Sequence, residues 1–257
     1  MNPIALVMFG HSHVGCVLNT SRQRKVDGFT WTIIPIIEAN RWQVQASTFD
    51  AARNLYIGNS VVMNSLQAHG AFTEGRRVVV SFCGGNVHNS LGLLEHQRKF
   101  DFVVPYEPDL PLDPAAELIP YDMMYEQFKL RNQGYLGLLS HVARETRHPF
   151  VHMESPPPIP DHDFIVSTLD PTFKERAKTT GITSAILRYK LWRCNSHVYA
   201  DHCRQENIRF VETPACVKDA QGFLLKEGWK NATHGNEWYG AKIMEHIEAL
   251  AASSLKG

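Results

Sequence analysis

Apolar and polar positions divide this chain into alternating strand-like and helix-like segments. Residues Ile4 to Phe9 are six consecutive apolar residues ending on Gly10. A short unbroken apolar run suits a strand buried on both faces of a parallel sheet. Gly10 permits a sharp exit, and Val14 to Arg24 then reads as a short helix with a basic end, which complements the helix dipole. Arg77 to Cys83 repeats the strand pattern and ends on Gly84-Gly85-Asn86. Pro149 to Met153 and Ile208 to Glu212 read as later strands. Phe29 to Ile37 is apolar and β-branched while Trp42 to Thr48 alternates, and the alternating segment is expected to be the second strand.

Helices are expected from Asn59 or Ser60, either of which can cap, to about His69. Further helical patterns cover Ser90 to Arg98, Tyr121 to Arg147, Ser184 to Glu206 and Gly235 to Ala252. Asn54 to Gly58 reads as a turn, and the proline-rich stretch Phe102 to Pro120 as an irregular surface excursion. Ser155-Pro156-Pro157-Pro158-Ile159-Pro160 cannot be regular helix or interior strand, because proline lacks the backbone donor. Strand–helix alternation of this kind predicts an α/β fold with a parallel, doubly wound sheet of about five strands. No repeat or linker divides residues 1–257, which read as one domain.

Composition narrows the function classes. The 26 basic and 26 acidic residues cancel, so neither a nucleic-acid partner nor an anionic membrane surface is indicated. No stretch reaches the roughly 18–20 apolar residues of a spanning helix. The opening apolar run has no basic lead and passes straight into the Ser12 turn, so it reads as core strand rather than signal peptide. Cys16, Cys83, Cys194, Cys203 and Cys216 are scattered without a Cys-x-x-Cys pair. Free thiols in a reducing, cytoplasmic compartment are therefore expected.

Candidate chemistry sits where strands end. Ser12 follows the first strand, at the carboxyl edge where open α/β sheets bind ligands. Serine is a weak nucleophile that needs a base, and a histidine can take its proton. The segment Asn231-Ala232-Thr233-His234-Gly235-Asn236 supplies one. The oxyanion formed by attack on a carbonyl needs fixed donors, and Asn86 offers an amide. His11, His13 and His88 are read as lining residues, and Trp229 and Trp238 as candidates to wall a substrate pocket. Tyr189, Trp192 and Tyr199, at helical spacing, read as core.

With those residues in place, the chain resembles the SGNH (GDSL-like) hydrolase superfamily in four ordered blocks. Gly10-His11-Ser12-His13 is similar to the nucleophile block, Gly58 to the oxyanion glycine and Gly84-Gly85-Asn86 to the oxyanion asparagine block. His234-Gly235-Asn236, followed by Tyr239-Gly240, resembles the block of the catalytic histidine. The resemblance implies a flavodoxin-like three-layer α/β/α fold. It also implies Ser12 as nucleophile, His234 as general base, and an oxyanion hole of the Ser12 and Gly58 N–H groups with the Asn86 side chain. No cofactor and no metal are implied.

Two positions depart from the family pattern. His11 stands where the family has an aspartate, and Asn231 stands where it has an acid three residues before the histidine. A carboxylate there stabilises the imidazolium, and its loss costs ~10⁴ in rate in the serine-protease case. Asn231 can still accept from the ring but brings no charge. Asp219 is the nearest upstream aspartate. Three readings stay open: an esterase acting on a small acyl ester such as a carbohydrate O-acetyl group, a catalytically impaired or non-catalytic binding protein on the same fold, and a metal site built from His11, His13, His88 and His234. The last lacks an acidic ligand in these blocks.

Overall fold

The computed structural model describes residues 3–36 and 45–254. In chain order the elements are β1 (Ile4–Gly10), α1 (Val14–Ser21), β2 (Phe29–Pro35), β3 (Ser47–Asp50), β4 (Leu55–Gly58), α2 (Ser60–Ala68), β5 (Arg77–Phe82) and α3 (Val87–Gly92). Next come β6 (Phe100–Asp101), β7 (Glu117–Leu118), α4 (Tyr121–Glu145), β8 (Phe150–Met153), α5 (His162–Thr168), α6 (Pro171–Thr180) and α7 (Ala185–Gln205). The chain closes with β9 (Arg209–Val211), β10 (Trp229–Asn231), β11 (His234–Gly235) and α8 (Glu237–Ser254).

Five strands form one parallel sheet in the order β2-β1-β5-β8-β9. This is the doubly wound order, and its topological switch point lies between β1 and β5. Period-two alternation sends the residues of these strands into two cores. Leu6, Met8, Val78 and Val80 pack with Val14, Val17, Ile243, Met244 and Ile247 of α1 and α8. Val7, Phe9 and Val79 pack with Phe128, Leu136, Leu139, Leu191 and Val198 of α4 and α7. The three layers expected from the sequence are thus present. Gly10 has ordinary backbone geometry, and its need is steric: a Cβ there would lie 2.7 Å from Phe82 Cβ, where the ends of β1 and β5 close on each other.

The second sheet strand is Phe29–Pro35, not the alternating segment. Residues 42–44 of that segment lie outside the described residues, and Ser47–Asp50 pairs antiparallel with Leu55–Gly58 in a separate hairpin. Asn54 to Gly58, read as a turn, is therefore mostly strand β4, with Asn54 at φ 51° in the turn itself. Asn59 caps α2 by accepting the Val61 N–H at 2.9 Å, and Ser184 caps α7 by accepting that of Leu187. Helix α3 starts at Val87 rather than Ser90. Tyr189, Trp192 and Tyr199 are buried, as read. Among the described residues no helix is long and apolar enough to cross a membrane, and all five cysteines are free thiols.

The 102–120 excursion is anchored by charge. Lys190, fully buried on α7, places Nζ 2.7 Å from Asp101 Oδ1 and 2.9 Å from the Pro111 carbonyl. Asp101 also accepts the N–H groups of Phe102 and Asp113. A buried pair is weak as a net stabiliser, but removing one partner strands the other. Lys190→Ala is expected to lower unfolding free energy by about 3–5 kcal/mol in urea titration. A loss below about 1 kcal/mol, the range of a surface pair, would show that Asp101 is not held by this lysine.

Candidate active site

The segments leaving β1 and β5 both turn at the switch point. After β1 the chain passes through His11, Ser12 and His13 into α1, with the Ser12 carbonyl accepting the Gly15 N–H at 3.1 Å. After β5 it passes through Gly84 at φ 70°, where a Cβ would meet the Tyr199 hydroxyl at 1.6 Å. Only glycine satisfies both demands. Gly85 follows, its Cα so near the His13 ring that a Cβ would lie 2.5 Å from that ring's Cδ2. The third component comes from the start of β11, just past the β10–β11 turn. His234 lies there with its ring centroid 4.8 Å from that of His13, which brings the histidine block to the serine turn.

The His234 ring is held at both nitrogens. Its Nδ1 is 2.9 Å from Asn231 Oδ1 and 2.9 Å from Thr233 Oγ1. Asn231 Oδ1 also accepts the Thr233 backbone N–H at 3.2 Å. A backbone N–H only donates, so the amide end it faces is oxygen, and the proton between that oxygen and the ring belongs to Nδ1. The lone pair is thereby left on Nε2, which faces the Asn86 Nδ2 at 3.5 Å. Among the described residues Ser12 makes no hydrogen bond to His234. Such bonds commonly tighten only with substrate in place.

Asn86 begins α3 but does not cap it with its side chain. Its Oδ1 accepts from Asn89 Nδ2 at 2.8 Å, which turns Nδ2 towards His234. The helix-cap role that its sequence position allows is thus not the one adopted. Gly58 departs from expectation more sharply. Its N–H donates to His141 Nδ1 at 2.5 Å, so it is not a free oxyanion donor in this structure. Trp229 and Trp238 are partly buried and pack against the α1/α8 core. The Trp229 indole donates to the Leu224 carbonyl and its ring lies against Phe164. Asp219 accepts the N–H groups of Gln221 and Phe223, forming a local turn.

His11, His13 and His88 surround the serine turn with little polar support. His11 sets its ring edge-on to Tyr135, and burial lowers its pKa. His13 is buried, neither of its ring nitrogens is hydrogen-bonded, and burial with the neighbouring imidazoles pushes its pKa well down. Burial, with Arg188 nearby, takes His88 down to about 3. Among the described residues no group of three His, Cys, Asp or Glu side chains is arranged to hold a metal. Sequence reasoning missed Thr233, Asn89 and His141, the residues that orient Asn231, Asn86 and Gly58. Of these only Asn89 left a trace, at helical i,i+3 spacing from Asn86.

No known family model matches the chain, and no curated protein matches it in sequence. Solved structures do match it in shape. A candidate platelet activating factor from Streptococcus pneumonia aligns at 12% identity over 98% of this chain and 85% of its own, with a TM-score of 0.52. A carbohydrate acetylesterase from Sinorhizobium meliloti aligns at 12% identity over 98% of this chain and 100% of its own, with a TM-score of 0.48. A GDSL-like lipase from Bacteroides thetaiotaomicron reaches 14% identity, 99% and 93% coverage and a TM-score of 0.45. The chain is a three-layer α/β/α protein, and its fold is similar to that of the Streptococcus pneumonia structure. At such identities the likeness concerns fold, and the chemistry has to be argued from the residues.

Burial and the nearby Lys230 hold the His234 pKa down, to about 4. Between pH 6.5 and about 4 the unfolded chain therefore binds a proton at this position that the folded chain does not. Stability should be full above pH 6.5 on this account and decline as pH falls through that window. An NMR titration of the His234 ring should give a midpoint near 4. A midpoint at the ordinary histidine value of about 6.5 would mean that the ring is solvated.

Proposed function

We propose that the protein is a serine ester hydrolase cleaving small acyl esters, with a carbohydrate O-acetyl group as a suitable substrate. The observation that carries this reading is the state of His234. Its Nδ1 proton is fixed on Asn231, its Nε2 faces the Asn86 amide at 3.5 Å, and its ring lies 4.8 Å from that of His13, the residue after Ser12. In this mechanism Ser12 Oγ attacks the ester carbonyl carbon as its proton passes to His234 Nε2. The carbonyl oxygen becomes an oxyanion that accepts from the Asn86 amide and the Ser12 N–H. Collapse of the intermediate expels the alcohol, which takes the proton back from His234. Water repeats the sequence on the acyl-enzyme and releases the acid.

Asn231 sets the ceiling on this reaction. It supplies geometry and tautomer but no negative charge to offset the imidazolium, and a base held near 4 is weak at neutral pH. The same feature favours a second reading, a binding protein that keeps the crevice with its turnover impaired. Turnover of p-nitrophenyl acetate separates the two. The first reading expects slow hydrolysis that is lost in Ser12→Ala and in His234→Ala. Activity that survives Ser12→Ala would refute it.

Asn231→Asp places a carboxylate against Nδ1, raising the ring pKa and stabilising the charge formed on acylation. An increase of at least about tenfold in kcat/KM, roughly 1.4 kcal/mol, is expected, fading as pH falls and the new acid is protonated. An unchanged kcat/KM would remove Asn231 from the orienting role.

A further inference from the structure

Behind the His13 ring lies a small crevice that the mechanism does not use. It is bounded by His13, Gly85, Glu154, Ser155 and Tyr239, with Phe82 below. Three of its walls carry buried polar atoms without a hydrogen-bond partner: both ring nitrogens of His13, Glu154 Oε1 and Ser155 Oγ. Side-chain polar groups this deeply buried are ordinarily bonded, and leaving each unsatisfied costs about 1–3 kcal/mol. The space is on the scale of a single water, and a buried water needs two to four polar partners. His13 and Ser155, with Glu154 beside them, supply partners of that number.

Glu154 is well placed for more than satisfying a water. It follows β8 and is 3% exposed, and its Oε2 is fixed by the Thr213 N–H at 2.9 Å and the Thr213 hydroxyl at 3.0 Å. Arg193 Nη1 stands 3.6 Å from Oε1. One carboxyl oxygen is thus immobilised, while the other stands by the guanidinium, and the residue itself lines the crevice. His13 is gripped in turn: Gly85 presses one side of its ring, and His234 lies 4.8 Å away. Whatever fixes the His13 ring also fixes a surface on which His234 rests.

We propose that Glu154 is a positioning residue for the base, tied through a water in this crevice to the His13 ring that backs His234. The carboxyl decides which His13 nitrogen carries the proton and holds that ring in one orientation. The crevice thus gives His234 a second support besides the neutral Asn231. The catalytic consequence rests on the esterase reading above, but the Glu154–water–His13 connection does not.

The experiment is ¹⁵N NMR of the histidine side chains in the full-length protein, alongside p-nitrophenyl acetate kinetics. Glu154→Gln keeps an oxygen for Thr213 and reverses the hydrogen bonding available to the crevice. The His13 ring nitrogens should shift to a different tautomer balance in this variant. They should shift again in Ser155→Ala, which removes another partner of the water and leaves Thr213 and Arg193 untouched. His234 should keep its proton on Nδ1 in both. In Glu154→Gln kcat should fall by about tenfold with KM within about twofold. A purely structural Glu154 would lower the melting temperature and leave the His13 resonances unmoved. His13 resonances unchanged in Glu154→Gln, or in Ser155→Ala should the first variant not fold, overturn the proposal. Absence of turnover in the unmodified protein would instead count against the esterase reading, and the resonances would still decide the connection.

Discussion

The parallel pairing of β1 with β5 is the constraint on which everything functional depends. Val7 faces Val79 and Gly10 faces Phe82 across this pair, so the two strands end level with one another. They also part at the sheet's switch point, since β1 connects onward to one side and β5 to the other. The chain leaving each must enter the same crevice, which puts Ser12 and Asn86 on adjoining turns. The start of β11 adds His234 from the far end of the sequence, and its ring meets His13. No cavity had to be cut for this: sheet topology makes it, and glycines at 10, 84 and 85 let the backbone close around it.

A second constraint is electrostatic. His11, His88 and His234 gather about His13, and the residue bonded to His234 Nδ1 is the neutral Asn231 rather than a carboxylate. Burial then favours the neutral form of every ring, with His88 held at about 3 and His234 at about 4. The cluster can stay neutral and correctly protonated across the physiological range, which suits a base waiting for a proton. It is poorly equipped to keep the positive charge once the proton arrives. On the proposed esterase reading, Asn231 therefore keeps the ring's geometry and tautomer while making the reaction slow.

Much of this was legible in the sequence because it is local. The apolar runs of β1 and β5 are core on both faces, and Asn59 and Ser184 cap the helices they precede. Asn231 and His234 are three apart in one turn, the spacing to which the family resemblance pointed. What the sequence hid is long-range or weakly patterned. Phe29–Pro35 is an edge strand with mixed exposure, so its apolar signature was no stronger than the alternation further on. Helix α6 has no buried residue and therefore no periodicity to read. The partner of the Gly58 N–H is 83 positions away, and the two tryptophans of the last block spend their rings on packing.

The most direct test of the account is covalent labelling of Ser12 by a fluorophosphonate, with the modified residue located by mass spectrometry. Such a reagent reports a serine whose proton a neighbouring base can take. The account predicts modification at Ser12 in the native protein and its loss in His234→Ala. Label that persists in His234→Ala, or a native protein that remains unlabelled at Ser12, would contradict it.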